Sequence, residues 1–267
     1  MNGSPAGRYL PDESAIHRLD AGVKVAGLLL LTASVIATAT AGGYALLLIV
    51  LALILRLSRL PLGTALASVG RLRRIFIVIF LMNALFFSSG RPLWSWGIIS
   101  LTPEGMRQGA KVVFNVAYIM VLANVLIAAT TPIDLTAGLF RLLKPLAILR
   151  VPVDDAAMII GIAIRFIPTL LEEAGMIKKA QTARGARFES RKFREQAASF
   201  GPLLIPVFLS AFRRADELSL AMESRGYRNA RDRTRKAAKP LTGPDFAALG
   251  LSFLICFFQF FMLWRRG

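Results

Sequence analysis

The chain has 267 residues, 55% of them hydrophobic, and a mean hydropathy of +0.57, more apolar than one soluble core of this length requires, which places it among integral membrane proteins. Lys and Arg number 33 against 16 Asp and Glu, a formal charge of +17. Most of the basic residues flank apolar runs or lie between residues 141 and 239, so membrane topology accounts for much of the charge without nucleic acid. The lone Cys256 excludes a disulfide framework or a Cys-based metal site within one chain.

The segment up to Asp20 carries Arg8, Pro11, Asp12, Glu13, His17 and Arg18 and lacks the apolar core and small-residue cleavage site of a signal peptide. It is expected to be retained, as a cytoplasmic segment over residues 1–21. A spanning helix needs about 20 mainly apolar residues, and the pattern predicts five, near 22–41, 43–58, 75–90, 108–130 and 245–264. Four of them make a membrane domain over 22–131, a more polar region follows over 132–243, and a final span occupies 244–267. Arg8, Arg18 and Lys24, then Arg56, Arg59, Arg71, Arg73 and Arg74, and then the 132–243 region all fall inside if the N-terminus is inside. The 90–106 loop, with Pro92, Trp94 and Trp96, is then external. Arg107 with Lys111 and the terminal Arg265-Arg266 run against this scheme, but the larger charge asymmetry dominates short flanks.

Residues 59–74 fit either an interfacial amphipathic helix, with Leu60, Leu62, Leu66 and Val69 toward lipid, or a plain cytoplasmic connector. The polar residues within the spans are Asn83, Asn115, Asn124 and Gln259, and no carboxylate sits mid-span. Proton relays and ion paths use intramembrane Asp, Glu or His, so these amides read as interhelical hydrogen-bonding groups.

The 132–243 region is too polar to span yet retains helical periodicity. Leu170, Leu171, Ala174, Met176 and Ile177 form one stripe, and Ala211, Phe212, Ala215, Leu218 and Met222 another. Pro152, Pro168, Pro202 and Pro206 are expected to break it into short helices. Pro240 and Pro244, with Thr242 and Asp245 as caps, mark the return to the membrane.

Within this region an eight-residue pattern, A-x-x-x-R-G-x-R, occurs twice, 41 positions apart, at Ala180–Arg187 and Ala221–Arg228. Arg184 has Ala180, Gln181, Arg187 and Phe188 as its helical neighbours, and Arg225 has Ala221, Met222, Arg228 and Asn229. Neither has an acidic neighbour, whereas a solvated basic face more often carries Glu four residues before Arg. Each guanidinium is therefore left for a carboxylate on another chain, which its planar fork binds bidentately. A compatible structural reading makes each motif a helix C-terminus, with Arg complementing the dipole and Gly as the left-handed cap.

These residues carry a specific resemblance. Gly7-Arg8-Tyr9 with Ser14 and His17-Arg18-Leu19-Asp20, Thr130-Thr131-Pro132, and Arg165-Phe166-Ile167-Pro168 with Glu172-Glu173 come first. Ala180-Gln181 with Ala183-Arg184-Gly185 follows, then Arg214-Ala215-Asp216-Glu217-Leu218, Ala221-Met222-Glu223 and Arg225-Gly226-Tyr227. Individually weak, in this order they make the chain resemble the transmembrane T component (EcfT/CbiQ family) of an energy-coupling factor (ECF) transporter, from about Gly7 to Arg228. The resemblance implies an all-α integral membrane protein of about five transmembrane helices plus a cytoplasmic helical coupling region over 132–243. It implies that Ala183-Arg184-Gly185 and Ser224-Arg225-Gly226 end two coupling helices, each docking in a groove of one ATPase of a dimer. Arg165, Pro168, Glu172, Glu173, Arg187, Arg214, Asp216, Glu217 and Arg228 are then expected to support that region. The second motif has Ser224 where the family has Ala, a small-for-small change. The family pattern Leu-Asp-Pro-Arg-Thr-Lys is kept here only as Leu19-Asp20 and Lys24, with Ala21, Gly22 and Val23 between them.

The implied mechanism has the ATPases move the coupling helices, which act on a small substrate-capture S component in the bilayer. No G-x-x-x-x-G-K-[ST] loop occurs, so ATP and Mg are expected in the partners, with no cofactor or metal bound by this chain and no catalysis of its own. The lone His17 makes neither a metal site nor a catalytic triad by itself. Arg165 with Glu172-Glu173 reads as an ion-pair brace rather than a catalytic group. The solute is a vitamin or another micronutrient, and the Gly7-Arg8-Tyr9 start with Ser14 and His17 is closer to T components shared among several capture subunits than to dedicated metal-uptake versions. Two readings from other classes stand beside this one: a conventional permease lining its own substrate path, and a membrane-anchored basic protein binding lipid or nucleic acid.

Overall fold

The computed structural model describes residues 14–86, 94–96, 99–149, 152–190, 192–227 and 241–265. Gly7, Arg8, Tyr9, Pro11, Asp12, Glu13, Pro92, Arg228, Asn229, Pro240 and Arg266, named above, lie outside them. The protein is an all-α membrane protein. Its helices are α1 Ala15–Arg18, α2 Ala21–Ala37, α3 Ala41–Ser58, α4 Leu62–Arg71 and α5 Arg73–Phe86. A two-stranded antiparallel hairpin follows, β1 Trp94–Trp96 against β2 Ile99–Leu101, with Trp94 opposite Leu101. Then come α6 Pro103–Ala128, α7 Pro132–Leu143, a 3-10 turn Lys144–Leu149, α8 Val153–Ala183, α9 Phe193–Ser224 and α10 Gly243–Trp264. The chain divides into two compact units, Met1–Leu142 with Lys239–Gly267, and Leu143–Ala238.

In the first unit, α3, α6 and α10 are long and apolar enough to cross a bilayer, and α2 is a shorter apolar helix of 17 residues. These match four of the five expected spans. The fifth, near 75–90, begins as the 14-residue α5, and its last residues lie outside the described part. Helix ends follow local chemistry. Asp20 accepts the Gly22 N–H at 2.9 Å, Thr40 the Gly43 N–H at 3.0 Å and Thr102 the Gly105 N–H at 3.0 Å. As expected, Thr242 and Asp245 cap α10: the Thr242 N–H and hydroxyl donate to the Asp245 carboxylate at 2.8 and 2.7 Å.

The core of this unit joins Leu31 and Val35 of α2, Leu47 and Val50 of α3, Tyr118 and Leu122 of α6, and Ile255 of α10. Glycine permits the close approach of α5 and α6, since a Cβ at Gly105 would stand 2.9 Å from the Asn83 carbonyl oxygen. The mid-helix amides divide. Gln259 donates across to the Gly43 carbonyl at 3.2 Å, and Asn124 donates to the Ala65 carbonyl at 3.2 Å and accepts from the Ser68 hydroxyl at 3.1 Å. Asn83 instead bonds its own helix, at the Ile79 carbonyl, 2.8 Å away. In the 59–74 segment Leu62 and Leu66 are exposed, but Leu60 is buried with Val125 and Ala128 rather than turned to lipid.

The second unit is built on α8 and α9, where Ile162, Phe166 and Leu170 meet Ala211, Ala215 and Leu218. Pro152 stands at a boundary, as the N-cap of α8, but Pro168, Pro202 and Pro206 do not break the region into short helices. α8 runs 31 residues through Pro168, and α9 runs 32 residues through Pro202 and Pro206. Each ring removes one backbone donor, and a helix of eight or nine turns keeps the rest of its ladder. The expected stripes are only partly buried: Leu170, Ala211 and Leu218 are partly covered between the two helices, while Leu171, Met176, Phe212 and Ala215 are exposed. α9 is also long and apolar enough to qualify as a span by composition.

Candidate functional site: two arginine-tipped helix ends

Both copies of the repeated pattern fall at the C-terminus of a long helix and end it the same way. Arg184 caps α8, its N–H bonding the Ala180 and Gln181 carbonyls at 3.2 and 3.1 Å. Gly185 then turns left-handed at φ +92°, its N–H reaches the Thr182 carbonyl at 3.0 Å, and the Ala186 N–H reaches back to Gln181 at 2.9 Å. At the end of α9, Arg225 is the cap and Gly226 has φ +72°. The Gly226 N–H bonds Glu223 at 2.9 Å and the Tyr227 N–H bonds Met222 at 3.0 Å. This paired 6→1 and 5→2 closure is the Schellman motif, which consumes the last carbonyls of the helix. Nothing lies within 4 Å of a Cβ at either glycine, so conformation, not space, selects glycine at both.

The closure leaves both tips open. Ala183, Arg184, Gly185, Ser224, Arg225 and Gly226 are all exposed. Neither guanidinium has an ion-pair partner among the described residues. The Ser224 hydroxyl turns back to the Ala221 carbonyl at 3.0 Å, leaving the tip small where the first copy has Ala183.

The other motif arginine is used differently. Arg187 pairs with Glu195 at 3.3 Å while its N–H donates to the Ser199 hydroxyl at 3.0 Å. The Ser190 hydroxyl at 3.0 Å, with Arg187 beside it, holds the Glu195 carboxyl below the usual carboxylate range. Lys192 adds a contact at 3.5 Å. Phe188 is buried, edge-on to Phe200 at 6.0 Å with the Lys178 ammonium 5.7 Å from its ring centre. The segment after the first tip is thus fastened to the start of α9. Phe188, expected only as a helical neighbour of Arg184, lies beyond the end of α8, and the sequence reading missed Glu195 and Ser199, although an aromatic and an acid flanking a basic turn were the available signal. Arg228, the counterpart of Arg187, lies outside the described residues.

Farther back, Arg214 and Glu173 form a half-buried cross-helix ion pair at 3.1 Å. Arg165 and Glu172, expected in the same brace, are exposed and have no ion pair among the described residues. Pro168, Asp216 and Glu217 are exposed, Glu217 beside Phe166 and Arg213. The described residues contain no group of three His, Cys, Asp or Glu able to hold a metal.

The family model of CbiQ, cobalt transport protein, matches residues 12–236. Among curated relatives, the energy-coupling factor transporter transmembrane protein EcfT of Ruminiclostridium cellulolyticum is 39% identical over 260 residues, covering 97% of this chain and 94% of that protein. Its counterpart in Acidaminococcus fermentans is 40% identical over 231 residues, covering 86% and 85%. That of Bacillus subtilis is 34% identical over 262 residues, covering 98% and 99%.

Proposed function

The chain belongs to the family of the cobalt transport protein CbiQ and the energy-coupling factor transporter transmembrane protein EcfT, and from that premise we propose that it couples a pair of ATPases to a substrate-capture S component through Arg184 and Arg225. The observation that carries this reading is the pair of matched helix ends. Two long helices of one compact unit terminate in the same closure, and each sets a guanidinium without a described partner beside a residue too small to obstruct a neighbour. Such a tip fits a groove that offers a carboxylate, since the planar fork takes it bidentately and Ala183, Gly185, Ser224 and Gly226 let the two backbones approach. ATP and Mg belong to the partner subunits, and this chain binds no cofactor and catalyses nothing. It sits in the cell membrane with its N-terminus and the basic 143–238 unit on the cytoplasmic side, as the distribution of Lys and Arg favours. The solute taken up is a vitamin or another micronutrient.

The test is purification of the complex in mild detergent from its native membrane, with uptake measured in parallel. The double variant Arg184→Glu, Arg225→Glu is expected to lose the ATPases and uptake by about tenfold or more, because it sets like charges together at each contact. Retention of both ATPases with uptake intact overturns the assignment.

A further inference from the structure

Arg141 lies in the last turn of α7, one residue before the first unit of the chain gives way to the second at Leu142. Its guanidinium meets the Asp20 carboxylate at 2.6 Å, across 121 positions of sequence. Asp20 is engaged on three sides: one oxygen takes Arg141, the other accepts the Gly22 N–H at 2.9 Å, and its own N–H donates to Asp245 of α10 at 2.9 Å. One turn before Arg141, the buried Gly138 rests directly on the start of α2. A Cβ there would stand 2.5 Å from the Gly22 nitrogen and 2.6 Å from the Ala21 carbonyl carbon, and backbone atoms of this kind cannot swing aside. Lys24, one turn into α2, donates to the Ala129 carbonyl at 2.8 Å and the His17 carbonyl at 3.2 Å, so the chain entering α7 is held to the same point.

We propose that the Asp20–Arg141 ion pair and the Gly22–Gly138 contact form the joint through which the motor-driven unit acts on the membrane helices, with Arg141 and Asp20 as positioning residues. The proposal rests on the coupling function given above. Force arriving along the chain at Leu143 enters α7, and the joint passes it to the starts of α2 and α10 together, because Asp20 is bonded to both. The joint stays closed during the cycle, since Gly138 carries no side chain to hold α7 away from α2 and the ion pair, exposed at Arg141, is lost if the two separate. The change in geometry is therefore taken up after Arg141 and not between α7 and α2.

Gly138→Ala and Arg141→Ala, with Arg141→Lys as the conservative variant, test this in the assembled complex. Solute accumulated per ATP hydrolysed is expected to fall at least about fivefold in the two alanine variants, the lower end of coupling between sites, and to recover in part in Arg141→Lys. The ATPases are retained throughout, because Arg184 and Arg225 are untouched. Hydrogen exchange on the purified chain supplies a readout that needs no partner: both alanine variants are expected to speed exchange in α7 and the first turn of α2 and to leave α8 and α9 unchanged. An unaltered transport ratio in complexes that keep their ATPases, or unaltered exchange in α7, overturns the joint. A wild-type chain that retains no ATPase counts against the coupling function instead, and the exchange data on that same chain still decide the joint.

Discussion

Gly185 and Gly226 show what a single residue can decide. Both hold a positive φ in open surroundings, so alanine at either position meets no atom yet must adopt a left-handed backbone at roughly 1–2 kcal/mol. Gly185→Ala and Gly226→Ala are expected to fray the last helical turn, read as faster hydrogen exchange at the Ala186 and Tyr227 amides that close the two motifs. Asparagine, which tolerates this region better, is expected to restore part of the protection. Replacing the Arg184 or Arg225 side chain should leave those amides unchanged, because the closure is made by backbone atoms. Tip shape and tip charge are thus separable at adjacent residues.

At the scale of helices, α8 and α9 are tied in the middle by Glu173 and Arg214 and at the turn by the contacts around Glu195. A double-mutant cycle on Glu173→Ala and Arg214→Ala is expected to give a coupling energy of about 0.5–1 kcal/mol by chemical unfolding, modest because both side chains retain some solvent. Much at this scale was legible in the sequence. Arg-Gly followed by a break in periodicity marks a helix end, Thr242 with Asp245 marks a start, and unbroken apolar runs mark α3, α6 and α10. The prolines misled because the local rule counts one lost donor and omits the many bonds that two long, mutually packed helices keep. Leu60 misled for a related reason: a periodicity says that one face is apolar but not whether lipid or Val125 will cover it. The Asp20–Arg141 pair left no trace in spacing, since its members are 121 positions apart and each looks like an ordinary flank of an apolar run.

For the molecule as a whole, Asp245 is a keystone of the first unit. It is 3% exposed and accepts the Asp20 N–H together with the N–H and hydroxyl of Thr242. Asp245→Ala leaves these donors without their acceptor and is expected to cost roughly 1–3 kcal/mol, seen as a lower Tm in detergent. Substitution of the exposed Asp216 should stay within about 0.5 kcal/mol. The second unit carries the opposite feature, a broad uncovered apolar surface. Ile159, Ile167 and Leu171 on α8 and Ile205, Phe208 and Phe212 on α9 all face outward, an apolar surface that water does not suit and that lipid or another subunit has to cover. A copy whose surface is not yet covered resembles, to the cell's quality control, a protein whose core has opened. On the proposed coupling function, then, the abundance of this chain in cells is expected to fall when its partner subunits are not made, which a blot of membranes with and without those subunits checks.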